Sequence, residues 1–160
     1  MGRSSRRAGA RGVVLRCRDH GEVLVNATAG AASLDALKAA GENNLEGKVL
    51  IDIANPLDFS AGMPPTFTVA NTDSLAEQIQ RTFPGARVVK ALNTVTAAVM
   101  VEPVIVPGNH NAFICGNEAA AKETVSDLLE TFGWPRSAVI DIGTSVARGR
   151  PRCTSPCGCA

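Results

Sequence analysis

Short apolar segments alternate with helical segments through the middle of this chain, and this alternation restricts the fold more than any other feature. Helices are indicated at 33–40, 74–83 and 118–132, and strands at 22–26, 48–53, 86–92, 111–115 and 138–142. Such alternation is typical of parallel strands joined by helical crossovers. Several strands are almost continuously apolar, as expected when both faces are covered. The sequence therefore predicts an α/β fold with a mostly parallel sheet and flanking helices.

Four details of the helix ends and connections are also predicted. Ser33 is a plausible N-cap of its helix, and Gly41 would end that helix. Residues 57–71 are rich in Pro, Gly and Ser and indicate a loop, whereas 94–100 could begin a further short helix.

Composition and charge place the chain among soluble globular proteins. Hydrophobic residues make up 45% of the 160 residues and charged residues 19%, and the net charge is +1. This charge gives no reason to expect nucleic acid or an anionic membrane as a partner. No apolar run approaches the roughly 20 residues that span a bilayer, and the first arginines are not followed by the apolar core of a secretory signal. The predicted location is the cytoplasm, with an organelle transit peptide as the weaker alternative.

Polar or turn-forming residues follow three predicted strands. They are the segments Asn26-Ala27-Thr28, Asn55-Pro56 and Asn93-Thr94, which we call the carboxyl rim. Ligands of open α/β sheets bind beyond the carboxyl ends of the strands. Each segment alone is explained by turn formation, but the three together favour a small-molecule site.

The stretches VLVNATAG (23–30), VLIDIANPLDF (49–59) and ARVVKALNTV (86–95) resemble NADP oxidoreductases related to coenzyme F420-dependent NADP reductase. These enzymes share their nucleotide domain with pyrroline-5-carboxylate reductases. The resemblance covers about residues 21–149 and implies a Rossmann-type NAD(P)-binding domain. The implied activity is hydride transfer between NADP and a second small substrate, in some members a deazaflavin.

The resemblance also implies roles for the carboxyl rim. Asn26, Ala27 and Thr28 would lie beside the ribose and nicotinamide of the cofactor, and Asn55 and Pro56 would form the next part of the cofactor site. The second substrate or the nicotinamide amide would be faced by Lys90, Asn93 and Thr94. Hydride transfer requires donor and acceptor held in contact rather than a nucleophile, so no catalytic side chain is assigned.

The sequence departs from the family in one major respect. The family begins with a strand and a G-x-G-x-x-G turn that seats the pyrophosphate, and this turn is not found in the 160 residues. Segment 21–149 is therefore predicted to be an incomplete Rossmann-type domain with impaired NADP chemistry. Residues 1–20 and 150–160 are atypical in composition, and we expect them to be disordered or read out of frame.

Other candidate residues have simpler interpretations. Cys153, Cys157 and Cys159 lack the paired spacing of a zinc site, so no metal is predicted. His110 is expected in an exposed loop, and Asp52 is expected to bond backbone near the carboxyl rim. For Lys90 the alternative to substrate binding is a stem packed along the sheet with its ammonium in water.

The leading interpretation is an NADP-dependent oxidoreductase domain, with a homodimer possible. Two alternatives remain: a non-enzymatic remnant that binds no cofactor, and a module that binds another small molecule at the carboxyl rim.

Overall fold

The computed structural model describes residues 21–70 and 72–144. The predictions for residues 1–20 and for the cysteine-rich tail lie outside the described residues, as does the end of the predicted domain at 145–149.

A five-stranded sheet forms the centre of the molecule. Its strands, in spatial order, are β1 (Val23–Asn26), β2 (Val49–Asp52), β5 (Arg87–Ala91), β6 (Ala112–Gly116) and β7 (Val139–Asp141). β1, β2 and β5 are parallel to one another, so their carboxyl ends lie at the same edge. The predicted α/β fold with a mostly parallel sheet is confirmed.

Helices cover both faces of the sheet. On one face, α1 (Ser33–Ala40) and α2 (Leu75–Thr82) bury Leu37, Leu75 and Ile79 against apolar residues of β2 and β5. On the other face, α3 (Ala97–Val101) and α4 (Ala119–Thr131) pack beside Trp134, and α4 buries Val125 and Leu129. The two cores explain why β2 is buried along its whole length.

The direction of β6 departs from the expectation of parallel neighbours. β6 runs antiparallel to β5, and β7 then runs parallel to β6. A parallel neighbour needs a crossover that returns the chain to the opposite edge of the sheet. After β5, the five-residue α3 and a short 3-10 turn at Pro103–Ile105 are the only helical elements before β6, and the chain re-enters the sheet from the edge where it left.

Two local predictions also need correction. The predicted loop 57–71 contains a two-stranded antiparallel hairpin, β3 (Leu57–Asp58) and β4 (Thr66–Phe67). Ser33 is the first residue of α1 and not its N-cap, because a 3-10 turn at Gly30–Ala32 precedes the helix. Gly41 does end α1, with a φ of 92°. Among the described helices, none combines the length and apolar character needed to span a bilayer.

Candidate functional site at the carboxyl rim

A row of buried polar side chains lies inside the sheet where the strands reach the carboxyl rim. Asn26, Asp52 and Lys90 occupy the same register position on β1, β2 and β5. Side chains two residues apart on a strand share a face, so this row continues the apolar row formed by Leu24, Leu50 and Val88. All three polar residues are buried, with exposures of 3%, 0% and 4%. We call them the polar row.

The Asn26 side chain connects β1 to β2 and to the start of α1 through hydrogen bonds. Its Nδ2 donates to Asp52 Oδ1 at 2.8 Å and to Ser33 Oγ at 3.1 Å. Its Oδ1 accepts from Thr28 Oγ1 at 2.7 Å. Thr28 and Ser33 also share a hydrogen bond of 2.9 Å. The Asn26 amide is therefore engaged at both ends and fixes the turn that leads into α1.

Lys90 and Asp52 form a buried ion pair. Lys90 Nζ lies 2.8 Å from Asp52 Oδ2 and also donates to the Ala54 carbonyl oxygen. Burial lowers the pKa of Lys90 from its usual 10.5, and the neighbouring Asp52 carboxylate opposes that shift. The alternative of an ammonium in water is wrong, because only 5% of the Lys90 side chain is exposed.

Above the polar row, the turns after β2 and β5 are tied to each other. Asn55 Nδ2 donates to the Asn93 carbonyl oxygen at 2.7 Å, and Asn93 Nδ2 donates to Asn55 Oδ1 at 3.3 Å. Leu92 precedes this contact with a φ of 57°, a left-handed conformation that is uncommon outside glycine. Its side chain is buried in the core, and this burial holds the turn that directs Asn93 toward Asn55.

Gly30 joins the first rim segment to the second. A Cβ at Gly30 would lie 2.3 Å from the Asn55 carbonyl oxygen and 2.5 Å from Pro56 Cα. Only glycine permits this approach, so the turn after β1 packs directly on the turn after β2. The three rim segments therefore meet at one edge of the sheet.

The residues predicted for the site differ in accessibility. Ala27 and Thr28 are exposed, and Asn55, Asn93 and Thr94 are half-buried, so these five border the open side of the rim. Asn26, Pro56 and Lys90 are buried beneath it. The structure brings all eight residues together, but any influence of Lys90 on a ligand would be exerted through its neighbours.

Sequence reasoning missed Ser33 as a member of this network and missed the pairing of Asp52 with Lys90. The predicted backbone bond of Asp52 is confirmed, because its Oδ1 accepts from Ala54 N at 3.2 Å. A signal for the pairing was present: each polar-row residue follows an inward-facing apolar residue by two positions, which places all three on one sheet face.

The remaining candidates lie elsewhere. His110 is half-buried, and its Nε2 lies 3.1 Å from the Pro103 carbonyl oxygen. It borders a cavity of about 380 Å³ that is also lined by Trp134 and Pro135. Cys115 is buried in β6.

Helices cover both faces of this sheet, and its parallel strands end at one edge in amides and hydroxyls. These features define a Rossmann-like α/β protein of the kind that binds ligands at strand ends. The comparisons with known proteins agree with this class. The sequence is 32% identical over 124 residues to the F420-dependent NADP reductase of Methanocaldococcus jannaschii, covering 77% of this chain and 54% of the reductase. It is 33% identical over 93 residues to Metalloreductase STEAP3 of Rattus norvegicus, covering 58% of this chain and 17% of that protein.

Two solved structures share the fold. One, from Arthrobacter sp. FB24 and assigned as a candidate F420-dependent NADP reductase, matches with a TM-score of 0.76 and 55% identity over 84% of this chain and 59% of its own. The other, the hypothetical protein SMa0349 from Sinorhizobium meliloti, matches with a TM-score of 0.64 and 27% identity over 88% of this chain and 68% of its own. No protein-family model matches the sequence.

This chain is homologous to F420-dependent NADP reductase and to Metalloreductase STEAP3, which confirms the resemblance. It spans about half the length of the first relative and about a sixth of the second.

Proposed function

We propose that this chain is part of an NADP-dependent oxidoreductase and that its carboxyl rim holds the nicotinamide end of the cofactor against a second substrate. One observation carries the proposal: three strand ends converge on one rim, where Asn55 and Asn93 are bonded across two strands. The relationship to an F420-dependent NADP reductase supports NADP as the cofactor. When bound, the nicotinamide supplies or accepts the hydride.

The accessible rim residues suit the nicotinamide end. Its carboxamide carries one acceptor and one donor group, and the side-chain amides of Asn55 and Asn93 offer both types. The Thr28 hydroxyl lies at the exposed end of the first segment and suits a ribose hydroxyl. Asn26 and Lys90 would orient these groups from below. No described side chain needs to donate or remove a proton, because hydride transfer depends on orientation.

The described residues do not suit the pyrophosphate. The family seats it on a glycine-rich turn at a helix N-terminus. The one glycine in the turn before α1, Gly30, is covered by the backbone of Asn55 and Pro56, so a phosphate could not approach it closely. We therefore propose that the 160-residue chain by itself binds NADP weakly and transfers hydride slowly.

Three finer points stay part of the proposal. The second substrate would be a deazaflavin, because the methanogen relative is named for F420, or another small hydride acceptor. A homodimer and a cytoplasmic location remain predictions from the sequence.

The test is calorimetric titration of the purified chain with NADPH and, separately, with reduced nicotinamide mononucleotide. If the rim holds the nicotinamide end alone, both ligands should bind with similar, weak affinity. Asn93→Ala should weaken both, whereas the control Asn43→Ala, at an exposed residue of a 3-10 turn, should weaken neither.

Each alternative has its own outcome. Binding of neither ligand would favour the non-enzymatic remnant. Binding of an unrelated small molecule that Asn93→Ala abolishes would favour the other binding module. Micromolar NADPH binding, with rapid oxidation by a deazaflavin, would contradict the proposed impairment and show that the glycine-rich turn is dispensable.

A further inference from the structure

We propose that Lys90 is a positioning residue: with Asp52 it fixes the turn at Ala54 so that Asn55 meets Asn93 at the carboxyl rim. The consequence for cofactor binding rests on the function proposed above. The positioning itself concerns only this chain and is measurable without a ligand.

β2 and β5 are linked by two side-chain pairs, one inside the sheet and one at its carboxyl edge. Asp52 and Lys90 are partners in the β2–β5 register. Three residues further along the chain from each of them, beyond the ends of β2 and β5, Asn55 and Asn93 bond to each other through two hydrogen bonds. An ion pair inside the sheet thus lies directly below an amide pair at its edge.

The ion pair holds both polar groups of the Ala54 residue. Lys90 Nζ donates to the Ala54 carbonyl oxygen, and Asp52 Oδ1 accepts from Ala54 N at 3.2 Å. The Ala54 carbonyl belongs to the peptide unit that leads into Asn55. Fixing it therefore fixes the direction in which Asn55 leaves the strand.

The hydrogen bonds of the Lys90 ammonium stay within the sheet and the turn that follows β2. The small cleft beside Lys90 is lined mainly by apolar residues such as Phe67 and Leu75, together with Asn55 and Ser74. With 5% of its side chain exposed, Lys90 cannot reach a ligand on the open side of the rim. Asp52 is 0% exposed and is shared with Asn26 Nδ2, which extends the same support to the turn after β1.

A positioning role and a purely structural role predict different results. Replacing a buried ion pair by neutral residues of similar volume often leaves stability unchanged or raises it, whereas removing one partner is strongly destabilising. The double variant Asp52→Asn with Lys90→Met should therefore remain folded, yet it lacks the Lys90 Nζ that donates to the Ala54 carbonyl oxygen. A purely structural pair would be replaced without consequence at the rim.

The experiment compares the wild type, this double variant and the control Lys122→Met. The control removes a Lys–Asp ion pair with the same substitution, because Lys122 Nζ lies 2.6 Å from Asp141 Oδ2, on α4 and β7. Thermal unfolding monitors stability, and the side-chain amide resonances of Asn55 and Asn93 monitor the rim by NMR. Titration with reduced nicotinamide mononucleotide monitors binding.

In the double variant we expect a thermal midpoint near that of the wild type and displaced Asn55 and Asn93 amide resonances. Binding should be at least about 10-fold weaker, because a misplaced amide loses about one hydrogen bond to the ligand. Lys122→Met should change neither the resonances nor the affinity. Unchanged Asn55 and Asn93 resonances in a folded double variant would overturn the positioning role. Displaced resonances with unchanged binding by a wild type that does bind would overturn its consequence for the cofactor.

Failure of the proposed function is distinguishable from failure of this inference. If the wild type binds no nucleotide but the amide resonances move in the double variant, the positioning role of Lys90 is supported and the proposed NADP-dependent function is contradicted. If the double variant unfolds, the double variant Asp52→Asn with Lys90→Leu replaces it in the same comparison. This variant also buries no charge and has no donor at residue 90 for the Ala54 carbonyl oxygen, so it is read by the same resonances.

Discussion

At the scale of single residues, the carboxyl rim requires glycine at one position because any side chain there would clash with the neighbouring turn. Gly30 has no positive φ, but a Cβ there would lie 2.3 Å from the Asn55 carbonyl oxygen. Gly62 is the opposite case, with a φ of +94° and no atom within 4 Å of the position that a Cβ would occupy. Comparing the two separates crowding from backbone conformation.

We expect Gly30→Ala to lower the free energy of unfolding by about 2–3 kcal/mol, because the rim backbone must move to relieve the contact. Gly62→Ala should cost only about 1 kcal/mol, from conformation alone. Urea unfolding of both variants measures the difference. An equal cost would mean that the turns after β1 and β2 separate easily, which contradicts the close packing of Gly30 on Asn55 and Pro56.

Lys90 should give stability an alkaline pH dependence. Burial holds its folded-state pKa below the usual 10.5, so between that lowered pKa and 10.5 the unfolded state binds more protons. Stability therefore rises with pH through this window. The difference in unfolding free energy between the wild type and the Asp52→Asn/Lys90→Met variant should therefore shift toward the wild type as the pH rises from the lowered pKa of Lys90 toward 10.5. A difference that is constant or shifts the other way would contradict the burial of the charged ammonium.

At the scale of secondary-structure elements, the N-termini of α1 and α2 show that a serine there can cap the helix or bond to residues outside it. Ser74 caps α2, because its Oγ accepts from Glu77 N at 3.1 Å. Ser33, in a similar sequence position, bonds to Asn26 and Thr28 instead. A serine before an apolar helix is thus a cap in one case and part of the polar row's network in the other.

Ser74→Ala should destabilise the protein by about 1 kcal/mol, the usual cost of losing an N-cap. Thr82→Ala is the control at the other end of α2, where an exposed hydroxyl bonds to the Gln78 carbonyl oxygen; its effect should stay within about 0.5 kcal/mol. Chemical denaturation of both variants is the measurement, and equal effects would show that the Ser74 bond contributes nothing.

At the scale of the whole molecule, β1 is one of the two edge strands of the described sheet, opposite β7. Among the described residues it pairs only with β2, and Val25 is 56% exposed. A strand with an unpaired apolar edge is a template for association with other chains.

Val25→Lys should therefore raise the concentration at which the protein aggregates, while its unfolding free energy changes by no more than about 0.5 kcal/mol. Val104→Lys, at a residue that is 76% exposed but outside any strand, is the matched control and should have little effect. Static light scattering over a concentration series compares them. A similar gain from both substitutions would point to general charge and not to the strand edge.

The sequence by itself determined the order and type of the main elements and the rim that Asn26, Asn55 and Asn93 share, because strand and helix periods and parallel connections are local properties of a chain. Only the tertiary structure decided that β6 turns antiparallel, since that depends on which edge the chain re-enters. It also decided that Lys90 points inward to Asp52. The sequence does not show which group a lysine side chain will contact. The register of β2 against β5 places the Asp52 carboxylate and the Ala54 carbonyl oxygen next to Lys90, and a buried ammonium is stable only when it is paired in this way.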